Sequence, residues 1–329
     1  MDTFKNFASK LYSVNDDTFN DIALEVFRFQ AINNPVYAAF IRHLGVAPAA
    51  VGHWQDVPFL PISFFKTHFL QTGQWTPEVT FTSSGTTGAS TSRHGVEQLA
   101  FYHQHAQRCF EFFFGPLTDY HFLALLPSYL ERQGSSLIAM MDYFIKNSQS
   151  DYSAYYLHQT DKLLADVAKL RNSPKKTILW GVSFALLDLA EKHDVDLSHC
   201  LVFETGGMKG RRKEITRAAL HQTLYERLHA QPVYSEYGMT ELLSQAYTTG
   251  KYTFECPPWM RITGREVTDP LRKGLLEETA GINVVDLANY QTISFLETED
   301  LGKVYGSGVF EVLGRMDNSD IRGCNLMVE

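Results

Sequence analysis

The chain has 329 residues, 44% hydrophobic and 20% charged, which is enough for one large or two medium domains with a substantial core. A formal net charge of −8 argues against a nucleic-acid groove or an anionic membrane surface as the main partner. Four widely spaced cysteines without a C-x-x-C pair, no bilayer-length apolar run and no signal-peptide pattern at the N-terminus point to a cytoplasmic protein with free thiols, no zinc site and no membrane span.

The periodicity predicts a helical region over 16–43. Asp16 or Asp17 is the expected cap, Phe19, Ile22, Ala23, Val26 and Phe27 fall at helical spacing, Asn33-Asn34-Pro35 interrupts it and Gly45 ends it. Residues 57–66 are apolar but carry Pro58 and Pro61, which fits a buried extended segment rather than a helix interior or central strand. Residues 79–82 read as a short strand and 96–114 as a helix with Leu99, Tyr102, Ala106, Cys109 and Phe113 on one face. A buried strand follows at 121–126, then a helix at 136–145, a strand at 177–180, a helix at 184–192, a strand at 201–203, a helix at 213–229 and a strand at 232–235. This alternation predicts an α/β fold with a parallel, doubly wound sheet. From about 246 the runs are β-like: strands at 281–286, 292–296 and 308–313, with a turn at 299–302. The expected organisation is a core over 1–313, α/β to about 245 and β-rich over about 246–313, with a tail at 314–329.

Two motifs carry chemistry. The first is Thr82-Ser83-Ser84-Gly85-Thr86-Thr87-Gly88. Its glycines let backbone N–H groups approach a phosphate, and its hydroxyls add donors. A polar surface turn would look the same, and no Lys follows in the P-loop pattern. The second is Tyr237-Gly238-Met239-Thr240-Glu241. The loops 82–88, 205–207 and 235–241 each follow a predicted strand end, where ligands sit in such sheets. His94, His103, His105 and His121 are not assigned to a metal, and 209–213 reads as a solvated basic helix start. Cys109, Cys200 and Cys256 read as structural.

These residues resemble the adenylate-forming superfamily of acyl- and aryl-CoA ligases. The loop 82–88 is similar to its phosphate loop, 237–241 to its Tyr-Gly-x-Thr-Glu motif, Glu299-Asp300-Leu301-Gly302 to its ribose-binding segment, and Gly314-Arg315-Met316-Asp317 to its hinge. The matches run in family order. Within the superfamily, 58–66, Gly206-Gly207-Met208-Lys209-Gly210 and 321–327 resemble LuxE-type acyl-protein synthetases, relatives of the phenylacetate-CoA ligases. Ala89-Ser90 stands where Pro-Lys usually follows the loop, and Glu299 replaces the usual Gly before Asp300.

The resemblance implies ATP-dependent activation of a fatty or similar acid to an acyl-adenylate, then transfer to a thiol. Ser83, Ser84, Gly85, Thr86, Thr87 and Gly88 would hold phosphates, with Gly206, Gly207, Tyr237 and Gly238 around adenine. Thr240 would contact a phosphate, Glu241 a Mg²⁺ ion, Asp300 the ribose, and Arg315 ribose or phosphate. Read alone, Glu241 fits a helix-start acid, Asp300 a turn residue, Arg315 a surface ion pair and Tyr237 a core ring. Cys324 would carry the acyl group as a thioester, with Arg322 nearby to favour the thiolate. The superfamily's mobile C-terminal domain, with its catalytic lysine, is expected to lie outside this chain; Lys209 or a partner's lysine would substitute. Coenzyme A, an acyl carrier protein or an acyl reductase are the implied acceptors. Residues 131–136 are assigned to the acyl pocket. A ligase or acyltransferase using an external thiol and a non-catalytic nucleotide-binding subunit are the rival readings.

Overall fold

The computed structural model describes residues 7–83, 91–126, 134–206, 215–269, 271–306 and 308–316. The chain forms two compact units, residues 65–257 and residues 1–64 with 258–329.

Four parallel strands form the heart of the 65–257 unit, hydrogen-bonded in the order Tyr120–Leu125, Lys176–Val182, Cys200–Thr205 and Val233–Tyr237. Ala154–Tyr155 adds in parallel at one edge. At the other, Ala246–Thr248 and Phe254–Glu255 add antiparallel. The parallel strands are almost wholly buried, as expected for a sheet covered on both faces.

The register puts Ala124, Trp180, Phe203 and Tyr234 in one row, so their side chains share a face. Trp180 and Phe203 stack with centroids 4.7 Å apart, and Phe203 and Tyr234 at 4.9 Å. Each such pair adds about 0.5–1.5 kcal/mol beyond the area it buries. The helices Leu99–Phe114 and Ser136–Asn147 close this face, with Phe110 5.6 Å from Phe122 and Phe144 6.2 Å from Trp180. The Glu78 carboxylate accepts from the Leu99 backbone N–H at 2.8 Å, placing negative charge at the positive end of the helix dipole. On the opposite face lie the helices Ser183–Lys192 and Arg217–Leu228, the latter capped by Thr216, whose hydroxyl accepts from Ala219 N–H at 3.2 Å.

A separate hairpin pairs Val79–Thr82 with Arg93–Val96, the strands that flank the Ser/Thr/Gly segment in sequence. This corrects the helix expected to begin at residue 96. Val96 is buried opposite Val79 in the hairpin, and the helix starts at Leu99.

The other unit is an antiparallel sheet of Met260–Arg265, Thr279–Asp286, Phe295–Gly306 and Val309–Arg315. Leu60–Pro61 pairs in parallel with Leu296 and Glu297, and Ile62 N–H continues the pairing to Glu297 O at 2.8 Å. The segment 57–66 is therefore partly extended, then turns into the short helix Phe64–Thr67. Two helices, Phe19–Asn33 and Pro35–His43, complete the unit. Thr18, rather than Asp16 or Asp17, is the cap position of the first. Asn34 caps the second, accepting from Tyr37 N–H at 3.1 Å, with Pro35 at the first helical position.

Two strand expectations change. Residues 299–302 lie inside the 12-residue strand Phe295–Gly306 and are not a turn; the ladder only shifts register between Leu301 and Gly302. That bulge accounts for the turn-like residues. The strand expected at 292–296 begins at Phe295, because the buried Gln30 amide holds the preceding residues out of the ladder. Its Nε2 donates to Asn289 O at 3.1 Å and Tyr290 O at 3.2 Å, and its Oε1 accepts from Ser294 N–H at 3.1 Å. Among the described residues no helix is long and apolar enough to cross a membrane.

Candidate nucleotide and acyl site

At the carboxyl ends of the parallel strands, the 65–257 unit gathers several of the predicted residues. The mouth of the Ser/Thr/Gly loop is closed by two hydrogen bonds: Ser83 N–H to Ser92 O at 3.2 Å and Ser92 N–H to Ser83 Oγ at 3.0 Å. Ser92 Oγ is buried and finds no hydrogen-bond partner among the described residues. Two positions along the return strand, His94 is fully buried, and its Nδ1–H donates to Thr240 O at 2.8 Å. The two motifs thus share one scaffold. Burial lowers the His94 imidazole to about 4, against the upward pull of that hydrogen bond, so the ring stays neutral.

The strand Val233–Tyr237 delivers the second motif. Tyr237 is buried with its ring 5.7 Å from Phe254, and the Arg217 guanidinium lies 4.4 Å from the Phe254 centroid. Gly238 is exposed at the rim. A Cβ there would lie 2.1 Å from Glu236 Oε1, so a larger residue would displace that carboxylate. Glu236 also accepts a hydrogen bond from the Thr205 hydroxyl. Glu241 is buried and Thr240 half-buried. Gly206 follows Thr205 at the end of its strand with φ of 75°, a conformation glycine adopts freely.

On the sheet face of Ser235 and Tyr237, opposite to that of Glu236, Glu204 is buried in a polar cluster. Arg217 Nε donates to its Oε1 at 3.3 Å, Ser183 Oγ donates to its Oε2 at 3.0 Å, and His221 Nε2 is 3.9 Å away. Burial pushes this carboxyl up, but His221, Arg217 and Ser235 outweigh it and the net shift is downward. Arg217 therefore joins the Glu204 cluster to the ring beside Tyr237.

In the other unit, Asp300 and Arg315 are cross-strand partners, with Arg315 Nε 3.6 Å from Asp300 Oδ1 and Nη2 3.3 Å from Glu299 Oε2. The buried Arg265 guanidinium braces this part of the sheet. It donates to Ile282 O and Asn283 Oδ1, each at 3.0 Å, and to Thr298 O at 2.6 Å.

Ser84, Gly85, Thr86, Thr87, Gly88, Gly207, Lys209, Arg322 and Cys324 lie outside the described residues, as do residues 131–133 of the expected acyl pocket. Cys109 and Cys200 are buried and Cys256 is half-buried. Burial raises the Cys200 thiol to about 12. Among the described residues no three His, Cys, Asp or Glu side chains converge as a metal site. Sequence reasoning weighed His94 only as a metal ligand and gave no role to Glu236, Glu204 or Arg217. Glu236 had one available signal, a charge directly before the Tyr-Gly pair in a buried strand.

No protein-family model matches the chain, and no curated protein matches it in sequence. Solved structures match in fold. An open conformation of 2-hydroxyisobutyryl-CoA ligase, in complex with 2-HIB-AMP and CoA, gives a TM-score of 0.67 at 14% identity over 92% of this chain and 70% of that one. ATP-bound MatB from Rhodopseudomonas palustris gives 0.53 at 16% identity over 84% of this chain and 56% of that one. The O-succinylbenzoate coenzyme A synthetase MenE from Bacillus subtilis, in complex with AMP, gives 0.50 at 19% identity over 73% of this chain and 49% of that one. The chain has the α/β large-domain fold of adenylate-forming enzymes.

Proposed function

We propose that this protein activates a carboxylic acid with ATP and passes the acyl group to a thiol. The observation that carries the reading is the 2.8 Å bond from His94 to Thr240 O, which holds the loop hairpin and the 237–241 motif together at the carboxyl-end rim of a parallel sheet. A carboxylate oxygen of the acid attacks the α-phosphorus of ATP, forming a C–O–P linkage. The bond to the β-phosphate oxygen breaks and pyrophosphate leaves. A thiolate then attacks the acyl carbon, forming the thioester and releasing AMP. The protein contributes positioning and charge neutralisation.

In this reading the hydroxyls and N–H groups of 83–88 hold the leaving phosphates. Thr240 donates to a phosphate oxygen, and Gly206, Gly207, Tyr237 and Gly238 surround the adenine. Asp300 and Arg315 are assigned to the ribose and phosphate by resemblance. The rim fits a Mg²⁺ ion in the manner usual at nucleotide sites, with one carboxylate, Glu241, and the remaining ligands from phosphates and water. Bound there, the ion would offset phosphate charge.

The finer reading is an acyl-protein synthetase of LuxE type, acting in the cytoplasm, with Cys324 as carrier and an acyl reductase or acyl carrier protein as the next partner. A structural neighbour solved with CoA supports an external thiol as the second reading. Intact-protein mass after incubation with Mg·ATP and an acid panel separates them. A hydroxylamine-labile adduct on the native chain, lost in Cys324→Ser, supports the carrier. AMP formed only with added coenzyme A or carrier protein, and unchanged in Cys324→Ser, supports the external thiol. Nucleotide binding without AMP under any condition leaves a binding subunit.

A further inference from the structure

Glu204 and Ser235 are register partners on neighbouring parallel strands, so Glu204, Ser235 and Tyr237 present their side chains on one sheet face. Gly206 lies two residues beyond Glu204, as Tyr237 lies two beyond Ser235. The two strand ends assigned to adenine therefore leave the sheet from one paired level.

Arg217, the first residue of its helix, reaches that level with its side chain. Its Nε donates to Glu204 Oε1 at 3.3 Å, and its Nη1 donates to Tyr252 O at 3.4 Å. Its guanidinium carbon lies 4.4 Å from the centroid of the Phe254 ring, which is 1% exposed and sits 5.7 Å from the Tyr237 ring. One side chain thus ties the strand that ends before Gly206 to the ring beside Tyr237.

This is not an ordinary surface ion pair. The Arg217 side chain is 18% exposed and that of Glu204 10%, so the pair is largely out of solvent. The arginine is also a cation in the first turn of a helix, the end where the dipole favours negative charge. Helix formation gains nothing from it there. A buried pair is itself weak support for stability, because apolar side chains of like volume often do as well. A guanidinium does what those side chains cannot: its edge pairs with a carboxylate while its charge sits over a ring.

We propose that Arg217 is a positioning residue for the nucleotide base: held by Glu204 on one side and Phe254 on the other, it fixes Tyr237 relative to the strand end at Gly206 and so sets the wall on which adenine packs. The inference rests on the assignment of adenine to Gly206 and Tyr237, and names the residue that holds the two in place.

The test measures binding of ATP, AMP and inorganic tripolyphosphate to the full chain by calorimetry, with a thermal melt on each preparation. Arg217→Gln is expected to weaken ATP and AMP by the same factor, about fivefold or more, while tripolyphosphate, which carries no base, binds as it does to the native protein. Arg217→Lys keeps a charge beside Glu204 but should stay nearer to Arg217→Gln than to the native protein, because an ammonium does not reproduce the two contacts of the guanidinium. Phe254→Leu leaves the ion pair in place and should reproduce the loss. Combined with Arg217→Gln it should bind no more weakly than the weaker single variant, since both changes break one contact. Phe254→Leu also decides the matter where loss of the cation beside Glu204 unfolds the Arg217 variants. Unchanged ATP affinity in Phe254→Leu, a loss confined to ATP or shared by tripolyphosphate, or full recovery in Arg217→Lys overturns the proposal. A native chain that binds neither ATP nor AMP overturns the nucleotide reading itself, and this inference with it.

Discussion

His94 and Thr240 are 146 residues apart in sequence, yet the imidazole Nδ1–H donates to the Thr240 carbonyl oxygen across 2.8 Å. The ring is also edge-on to Phe65, with centroids 5.2 Å apart. Replacing it with leucine removes the donor from a part-buried carbonyl, at a cost of about 1–3 kcal/mol. Asparagine places an N–H near the Nδ1 position. His94→Leu should therefore lower stability by about that amount and raise KM for ATP more than it lowers kcat, while His94→Asn recovers most of the KM. Urea unfolding with pyrophosphate-exchange kinetics on all three proteins measures both. If KM for ATP is the same in all three, the bond has no part in placing the motifs.

The same histidine sets a pH dependence. Its folded-state value is about 4, and His105, with Nε2 2.8 Å from Ser244 Oγ, is lowered to about 3 by burial and then by Arg108. Both are neutral when folded and take up protons near the ordinary histidine value when unfolded. Their stabilisation is full above about 6.5 and is lost as pH falls toward the folded-state values. For His94 the loss is about 3 kcal/mol by pH 4. Melting temperature should fall across that window, and the deficit of His94→Asn should shrink as pH drops from 7.5 to 4.5. A deficit constant with pH would mean that His94 titrates normally in the folded protein.

Gly238→Ala probes the rim. The added Cβ would meet Glu236 Oε1 at 2.1 Å, so the carboxylate must swing away from Gly238 and from Thr205. The expected result is a loss of adenylation of about tenfold or more, with melting temperature little changed because the residue is exposed. Exchange kinetics and a thermal melt on the same preparation check this. A melting temperature that drops with full specific activity would make the glycine a folding requirement only.

The parallel core was legible because Tyr120–Leu125, Lys176–Val182 and Cys200–Thr205 are short apolar runs, each followed by a helical pattern, whereas the two-residue edge strand Ala154–Tyr155 gave no such signal. The Ser/Thr/Gly segment and the Tyr-Gly-x-Thr-Glu motif stood out as residue patterns. Their connection did not, because nothing local in Arg93-His94-Gly95-Val96 signals a strand: three of its four residues are buried without alternation. The strand through Asp300 was hidden for the opposite reason. Asp300 and Gly302 are turn formers, and a bulge between Leu301 and Gly302 accommodates them inside the ladder. Glu204 and Arg217 were invisible because their pairing depends on how a helix docks over a strand end.

Asp300 and Arg315 offer a way to separate ribose binding from sheet stability. Their contact joins neighbouring strands, with Nε 3.6 Å from Oδ1. The Arg315 side chain is 70% exposed, so solvent screens the pair and it contributes at most about 1 kcal/mol. Arg315→Ala should melt within a few degrees of the native protein, yet bind ATP several-fold more weakly if the guanidinium contacts the nucleotide. Asp300 is more enclosed, at 12% side-chain exposure, and Asp300→Asn keeps its shape while removing the charge. A carboxylate accepting from both ribose hydroxyls loses strong, charge-assisted bonds when it becomes an amide. ATP affinity should then fall by about tenfold or more, and 2′-deoxy-ATP should lose less between native and variant than ATP does. Equal losses for ATP and 2′-deoxy-ATP would place Asp300 away from the ribose and leave its pairing with Arg315 as a strand contact alone.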